Sequence, residues 1–170
     1  ILYDGRPVHS IPLQDRRLGF VYQDFGLFPH MKVRANIEYG LRIKGMKRAA
    51  CEEKSRNMME LLGICHLADR YPGTLSGGEQ QRTALARALI VDPRILFMDE
   101  PFSALDPNTK KQMYGLVREI HQLFGCTIVF VTHDFHEAEK LADRTAVIIG
   151  GRVRRICDSR QLFLEKEDRE

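Results

Sequence analysis

The 170-residue chain contains no C-x-x-C pair. Its cysteines, Cys51, Cys65, Cys126 and Cys157, stand far apart, which argues against a zinc site and a disulfide framework and fits a reducing cytosol. No apolar run approaches the roughly 20 residues of a membrane-spanning helix; residues 95–98 and 127–131 are among the longest. Charge of one sign is also missing. Twenty-six basic against 23 acidic residues give only +3, spread along the chain, so no nucleic-acid partner is expected. The densest cluster, Lys44, Lys47 and Arg48, runs into Glu52, Glu53 and Lys54 and reads as a solvated helix face. The opening Ile-Leu-Tyr-Asp-Gly has neither initiator Met nor a charged-then-apolar leader, and it reads as an interior position of a longer protein. Finally, Gly nowhere precedes Lys, so no phosphate loop of the form G-x-x-x-x-G-K-[ST] is present.

What remains is enough for one core: 44% of the residues are hydrophobic, and the length suits one domain or a domain with a subdomain. Residues 1–3 and 18–22 read as short strands, the first closed by Asp4-Gly5 and the second ending at Gln23. From 25 to 74 the period becomes helical. Ile37 and Leu41, then Met58, Leu61 and Leu62, recur at helical spacing, with a stop at Gly63 and a break at Pro72-Gly73. The order then alternates strand and helix. Residues 95–98 form an apolar run of the kind buried on both faces of a parallel sheet. Asp106 as N-cap, Pro107, the stripe Met113, Leu116, Val117, Ile120, Phe124, and then Gly125 mark a helix. A strand over 127–131, a hairpin about Gly150-Gly151 and a short amphipathic helix near Leu162 and Phe163 complete the reading. Such alternation implies right-handed crossovers and a mainly parallel α/β sheet, with sites at the carboxyl ends of its strands.

Two motifs carry chemistry. Residues 75–82 read LSGGEQQR. Ser76 and Glu79 have the spacing of a capping box, but the cap does not explain Gly77 and Gly78, each costing about 1 kcal/mol of helix stability relative to Ala. Bare amides at a helix start, aided by the helix dipole, suit the close approach of a phosphate. Asp99 and Glu100 directly follow the apolar strand and precede Pro101. Adjacent carboxylates there can divide labour, Asp99 holding magnesium through its water shell and Glu100 orienting and deprotonating an attacking water.

With these residues the chain resembles the ATP-binding cassette subunit of an ABC transporter over essentially its whole length. Residues 75–82 are similar to the signature motif, and residues 95–99 to the Walker B segment, with Glu100 as its catalytic carboxylate. The resemblance implies that Gln23 is the Q-loop glutamine, contacting magnesium and water, and that residues 103–106 form the D-loop. It implies that His133 is the switch histidine at the γ-phosphate, and that Ser76, Gly77, Gly78, Glu79 and Asp106 face nucleotide. His9, His30, His66, His121 and His136 lack such context and are assigned no catalytic role. The implied fold is an incomplete P-loop NTPase (RecA-like) core with a mainly parallel sheet plus an α-helical subdomain. Residues 1–24 would be a β region, 25–78 the helical subdomain and 79–170 the catalytic part.

The resemblance further implies ATP and magnesium as ligands, and a second cassette, membrane permease subunits and, indirectly, a solute-binding protein as partners. The location would be peripheral, on the cytoplasmic face of the membrane, with the segment opening at Phe25 docking the permease. In the family the phosphate loop lies about 40 residues ahead of the Q-loop glutamine, so the chain is expected to be N-terminally incomplete and inactive alone. The segments LFPHMKV and DEPFSALDPNTKKQM are similar to importers of small anions such as molybdate, tungstate and sulfate. The alternatives are a non-catalytic cassette that pairs with an intact one, and a soluble ABC ATPase of DNA repair or translation. The short interval between Gln23 and Leu75 leaves no room for the long coiled coil of the repair members.

Overall fold

The computed structural model describes residues 2–3 and 5–161. One compact unit covers residues 1–131 and a second covers residues 132–170. The first opens on a small antiparallel hairpin, β1 (Leu2–Tyr3) with β2 (Arg6–Pro7), where one strand was expected. Next comes β3 (Leu18–Val21). Residues 25–32, expected to begin a helical stretch, instead form a loop: Phe25 and Gly26 both take left-handed backbone, φ 64° and 54°, which a right-handed helix cannot accommodate.

Helix α1 (Val33–Ile43) and helix α2 (Arg48–Leu61) follow, and α2 ends at the predicted Gly63. No side chain caps the start of α1. The Val33 and Arg34 amides instead donate to the carbonyls of Arg70 and Ala68, so tertiary contact satisfies the open helix end. The apolar positions pack inward: Val33, Ile37 and Leu41 from α1 meet Cys51, Met58 and Met59 from α2 in a core completed by Leu62, Ile64 and Leu67. Helix α3 (Gly77–Leu89) packs on α1 and on β3.

Strand β4 (Ile95–Asp99), helix α4 (Pro107–Phe124) and strand β5 (Thr127–Val131) complete the unit. The strands form a parallel sheet in the order β3-β4-β5, with Val21 beside Met98 and Asp99 beside Val131. One face carries Val21, Leu96 and Met98, all buried; the α3 carbonyl of Ala88 lies against Gly19 on this side. Buried Phe102 stands edge-on to Tyr114 of α4 and to Phe130. The opposite face carries Phe20, Phe97 and Val129, with Phe20 and Phe97 stacked at 5.0 Å. Phe20 is 43% exposed and Val131 60% exposed, so the first unit by itself leaves this apolar face partly open. Parallel sheets are ordinarily buried on both faces.

The second unit contains helix α5 (Phe135–Leu141) and an antiparallel hairpin of β6 (Arg144–Ile149) and β7 (Arg152–Asp158). Gly150 and Gly151 turn it, both at positive φ, as two-residue hairpin loops favour. The helix expected near Leu162 and Phe163 lies outside the described residues. No described helix is long and apolar enough to cross a membrane.

Two polar devices hold the first unit. Asn36 is fully buried. Its Oδ1 accepts from the Phe28 amide at 2.8 Å, and its Nδ2 donates to the carbonyls of Phe28, Met31 and Lys32, so one α1 side chain satisfies the loop that precedes the helix. At α3 the predicted capping box is present: Glu79 N–H donates to Ser76 Oγ, while the Ser76 amide and hydroxyl donate to Glu79 Oε2 at 2.7 and 2.9 Å. The Ser76 amide first, and then its hydroxyl, hold the Glu79 carboxyl below its ordinary pKa.

Asn36→Ala takes from the Phe28 amide and the Met31 carbonyl their side-chain partner and should cost about 2–4 kcal/mol, read as a lower urea midpoint with an unchanged slope. Ser76→Ala should cost about 1 kcal/mol at pH 7. Because the folded-state pKa of Glu79 is lowered, its contribution is present above the unfolded value of about 4.3 and is lost as pH falls through the folded value. The difference between parent and Ser76→Ala should therefore narrow in titrations below about pH 4.

Candidate functional site

Parallel pairing brings the carboxyl ends of β3 and β4 to one edge of the sheet, with Gln23 past one end and Asp99 and Glu100 at the other. The chain leaves β3 in a tight turn in which the Phe25 amide donates to the Tyr22 carbonyl at 2.9 Å and the Gly26 amide to Asp24 Oδ1 at 3.1 Å. Gln23 stands exposed in that turn. From β4, Glu100 donates its amide to the Val131 carbonyl at 2.9 Å, extending the ladder by one residue, and then takes φ 41°. A non-glycine residue in this region costs about 1–3 kcal/mol and persists only where its surroundings impose it. Here the Ser103 amide and hydroxyl both donate to the Glu100 carbonyl, and Phe102 is completely buried just beyond. The bend brings Glu100 Oε2 to 3.4 Å from Gln23 Nε2.

Beside this pair lies an open cleft of about 710 Å³ lined by Tyr22, Gln23, Asp24, Asp99, Ser103 and Ala104. Asp24, which sequence reasoning did not single out, adds a second carboxylate to it. The lining is rich in hard oxygen donors, the chemistry of magnesium rather than of zinc. Among the described residues no three His, Cys, Asp or Glu side chains come together as a metal cage. That donor set fits magnesium, which ordinarily takes one or two carboxylates and keeps its remaining positions for water and phosphate.

A second cluster gathers the glycine pair and the start of α4. A Cβ added to Gly77 would meet Leu105 and the Ala104 carbonyl only at ordinary contact distance, 3.8 and 3.9 Å, whereas one added to Gly78 would lie 2.8 Å from Thr109 Cγ2. Gly78 therefore has a packing reason invisible in the sequence: the starts of α3 and α4 approach too closely for a methyl group. Asp106, predicted as N-cap, accepts from the amides of Asn108 and Thr109 at 3.1 Å. The Thr109 hydroxyl and amide hold its carboxyl below the ordinary range. Two capped helix starts thus lie side by side; the first amides of α3 are those of Gly77 and Gly78 and are open to an anion, whereas on α4 Pro107 has no amide hydrogen and Asp106 takes the next two.

His133 belongs to the second unit. It is exposed, in a turn where the Asp134 amide donates to Thr132 Oγ1 and Asp134 Oδ1 caps α5 through the His136 amide. Gln23, Asp99 and Glu100 meet at one edge of the first unit, and Ser76 to Glu79 and Asp106 meet in the second cluster. Sequence reasoning missed the residues that support them from a distance, among them Asn36 and Arg87. No local signal separates Arg87 from other helix arginines.

Comparison with known proteins identifies the family. The sequence profile of the ABC transporter family matches residues 1–103. The chain is 45% identical over 163 residues to the molybdate/tungstate import ATP-binding protein WtpC of Archaeoglobus fulgidus, covering 96% of this chain and 67% of that protein. It is 43% identical over 155 residues to the sulfate/thiosulfate import ATP-binding protein CysA 2 of Agrobacterium fabrum, covering 90% of this chain and 46% of that one. The chain thus spans about half the length of the latter. Among solved structures, cbiO1 from Clostridium perfringens, part of the ABC transporter complex cbiONQ, superposes with a TM-score of 0.86 at 29% identity, over 98% of this chain and 68% of that one. The chain belongs to the ABC transporter family of ATP-binding subunits.

Proposed function

We propose that this chain supplies the hydrolytic edge and the signature face of an ATP-hydrolysing ABC import subunit. The observation that carries the proposal is the left-handed bend at Glu100, which sets its carboxylate against Gln23 beside an oxygen-lined cleft. On this reading Glu100 is the general base that takes a proton from the attacking water, and Gln23 orients that water. Asp99 and Gln23 would hold magnesium, which when bound withdraws charge from phosphate oxygens. Ser76, Gly77, Gly78 and Glu79, with Asp106 close by, would meet the γ-phosphate end of a nucleotide held on an opposing cassette, since a helix start carries unpaired amides. His133 would contact the γ-phosphate from the segment after β5.

Each chain then contributes halves of two composite sites, so the working form is a pair of cassettes. Residues 1–24, 25–78 and 79–170 divide on this reading into a β region, a helical subdomain that docks permease subunits, and the catalytic part, held peripherally at the cytoplasmic face of a membrane. A solute-binding protein would deliver cargo to the permease. The names of the relatives support a small tetrahedral oxyanion, molybdate, tungstate or sulfate, as that cargo. The phosphate cradle itself must come from outside these 170 residues, which contain no Gly-Lys pair. The partly open apolar face with Phe20, Phe97 and Val129 supports a further layer of chain there.

By itself the chain should show no measurable magnesium-dependent ATP turnover. A polypeptide carrying the upstream reading frame, with an in-frame G-x-x-x-x-G-K-[ST], should turn ATP over. In that protein Glu100→Gln should lower kcat by about 100-fold or more while leaving nucleotide binding intact. Glu100→Gly should lose turnover equally yet unfold at an equal or higher midpoint, since it relieves about 1–2 kcal/mol of left-handed strain. Robust turnover by the 170 residues alone, or a fully active Glu100→Gln protein, would contradict the reading. An upstream frame with a start codon and no phosphate loop would instead favour a non-catalytic cassette working beside an intact one.

A further inference from the structure

The turn that carries Gln23 is held by a residue from a different part of the chain. Arg87, on the last turn of α3, donates from Nη1 to the Gly26 carbonyl at 2.7 Å and from Nη2 to the Phe25 carbonyl at 3.2 Å. Its guanidinium carbon lies 5.2 Å from the centre of the Phe28 ring, and Phe28 packs on Tyr39 of α1 at 4.7 Å. Phe25 and Gly26 are the consecutive left-handed residues, and that backbone presents both carbonyls to one side, where a planar fork can take them together. A Cβ on Gly26 would sit 3.0 Å from the Tyr22 ring and 3.6 Å from Arg87 Nη2, so the turn is closed on both sides. The guanidinium is half-buried, and burial lowers its pKa. A carbonyl pair plus an aromatic face is a setting in which lysine cannot replace arginine.

The same helix begins at Ser76, Gly77 and Gly78, about 15 Å away along a rigid rod. We infer that Arg87 is a positioning residue that locks the turn bearing Gln23 onto the signature helix, so that the Gln23–Glu100 contact and the glycine-pair helix start move as one body. The inference rests on the role proposed above for Gln23. It assigns to Arg87 no contact with nucleotide. Two halves of different composite sites would then respond together when cassettes close, because a displacement of the helix start is carried to Gln23 through one side chain.

The test has two arms. In the chain itself, hydrogen exchange at the Phe25 and Gly26 amides should accelerate at least ~10-fold in Arg87→Met while amides in the middle of α3 keep their protection. Arg87→Lys, which keeps the charge and loses the fork, should accelerate them about threefold or more. Exchange within about twofold of the parent at both amides, in either variant, would overturn the inference. If Arg87→Met does not fold, Arg87→Lys alone decides. In the ATP-hydrolysing assembly, Arg87→Lys should lower kcat about 10-fold with KM for ATP within about twofold, the mark of lost positioning rather than lost binding. An unchanged kcat, or a loss confined to KM, would overturn the catalytic consequence. Absence of turnover in the unaltered assembly would instead defeat the proposed function, and the exchange arm would still decide whether Arg87 holds the turn.

Discussion

Everything at the candidate site depends on the in-register parallel pairing of β3, β4 and β5. Parallel strands end on the same side, so Val21, Asp99 and Val131 release their following residues at one edge. A one-residue slip would exchange the two faces of a strand, burying Phe20 where Val21 now sits and turning Asp99 away from the cleft. The hydrogen bond from the Glu100 amide to the Val131 carbonyl is where this register is converted into chemistry. It holds Glu100 in the ladder for one residue more, and the backbone then turns left-handed and swings the carboxylate toward Gln23.

Around that edge the fold uses buried polar groups as ties. Asn36 satisfies the loop ahead of α1, Arg87 satisfies the turn after Gln23, and Glu38, completely buried on α1, is met by Arg42 and by the Ser55 hydroxyl at 2.8 Å. Each tie spends a partner on backbone or carboxylate that would otherwise be unsatisfied. The irregular segments that carry Gln23 and dock against the helices are therefore as firmly specified as the helices. The opposite face of the sheet contrasts with this: aromatic and β-branched residues of the first unit stand there partly exposed.

Much of this was legible in the sequence wherever the physics is local. The capping box of Ser76 and Glu79, the Asp106-Pro107 helix start, the stops at Gly63 and Gly125 and the Gly150-Gly151 hairpin all follow from residues within a few positions of one another, and the structure contains each. The apolar runs similarly disclosed a parallel sheet. Features settled by distant contacts were not legible. Helix α1 has no capping residue because carbonyls of Ala68 and Arg70 take that role. The loop at 25–32 was read as part of the helical stretch, because its left-handed pair is held by Arg87 from another helix and has no local signal. Gly78 suited phosphate in the sequence reading, and the structure adds a second demand from Thr109, which no spacing could reveal.

On the proposed reading these pieces form an edge that acts opposite another: the start of α3, with the amides of Gly77 and Gly78, on one side, and a carboxylate poised against a glutamine on the other. Neither half encloses a nucleotide by itself. A structure of the assembled, phosphate-loop-bearing protein with magnesium and a non-hydrolysable ATP analogue tests this most directly. The account predicts the Ser76 hydroxyl and the amides of Gly77 and Gly78 within about 3 Å of γ-phosphate oxygens bound to the opposing subunit; those amides facing solvent, with no phosphate near them, would contradict it.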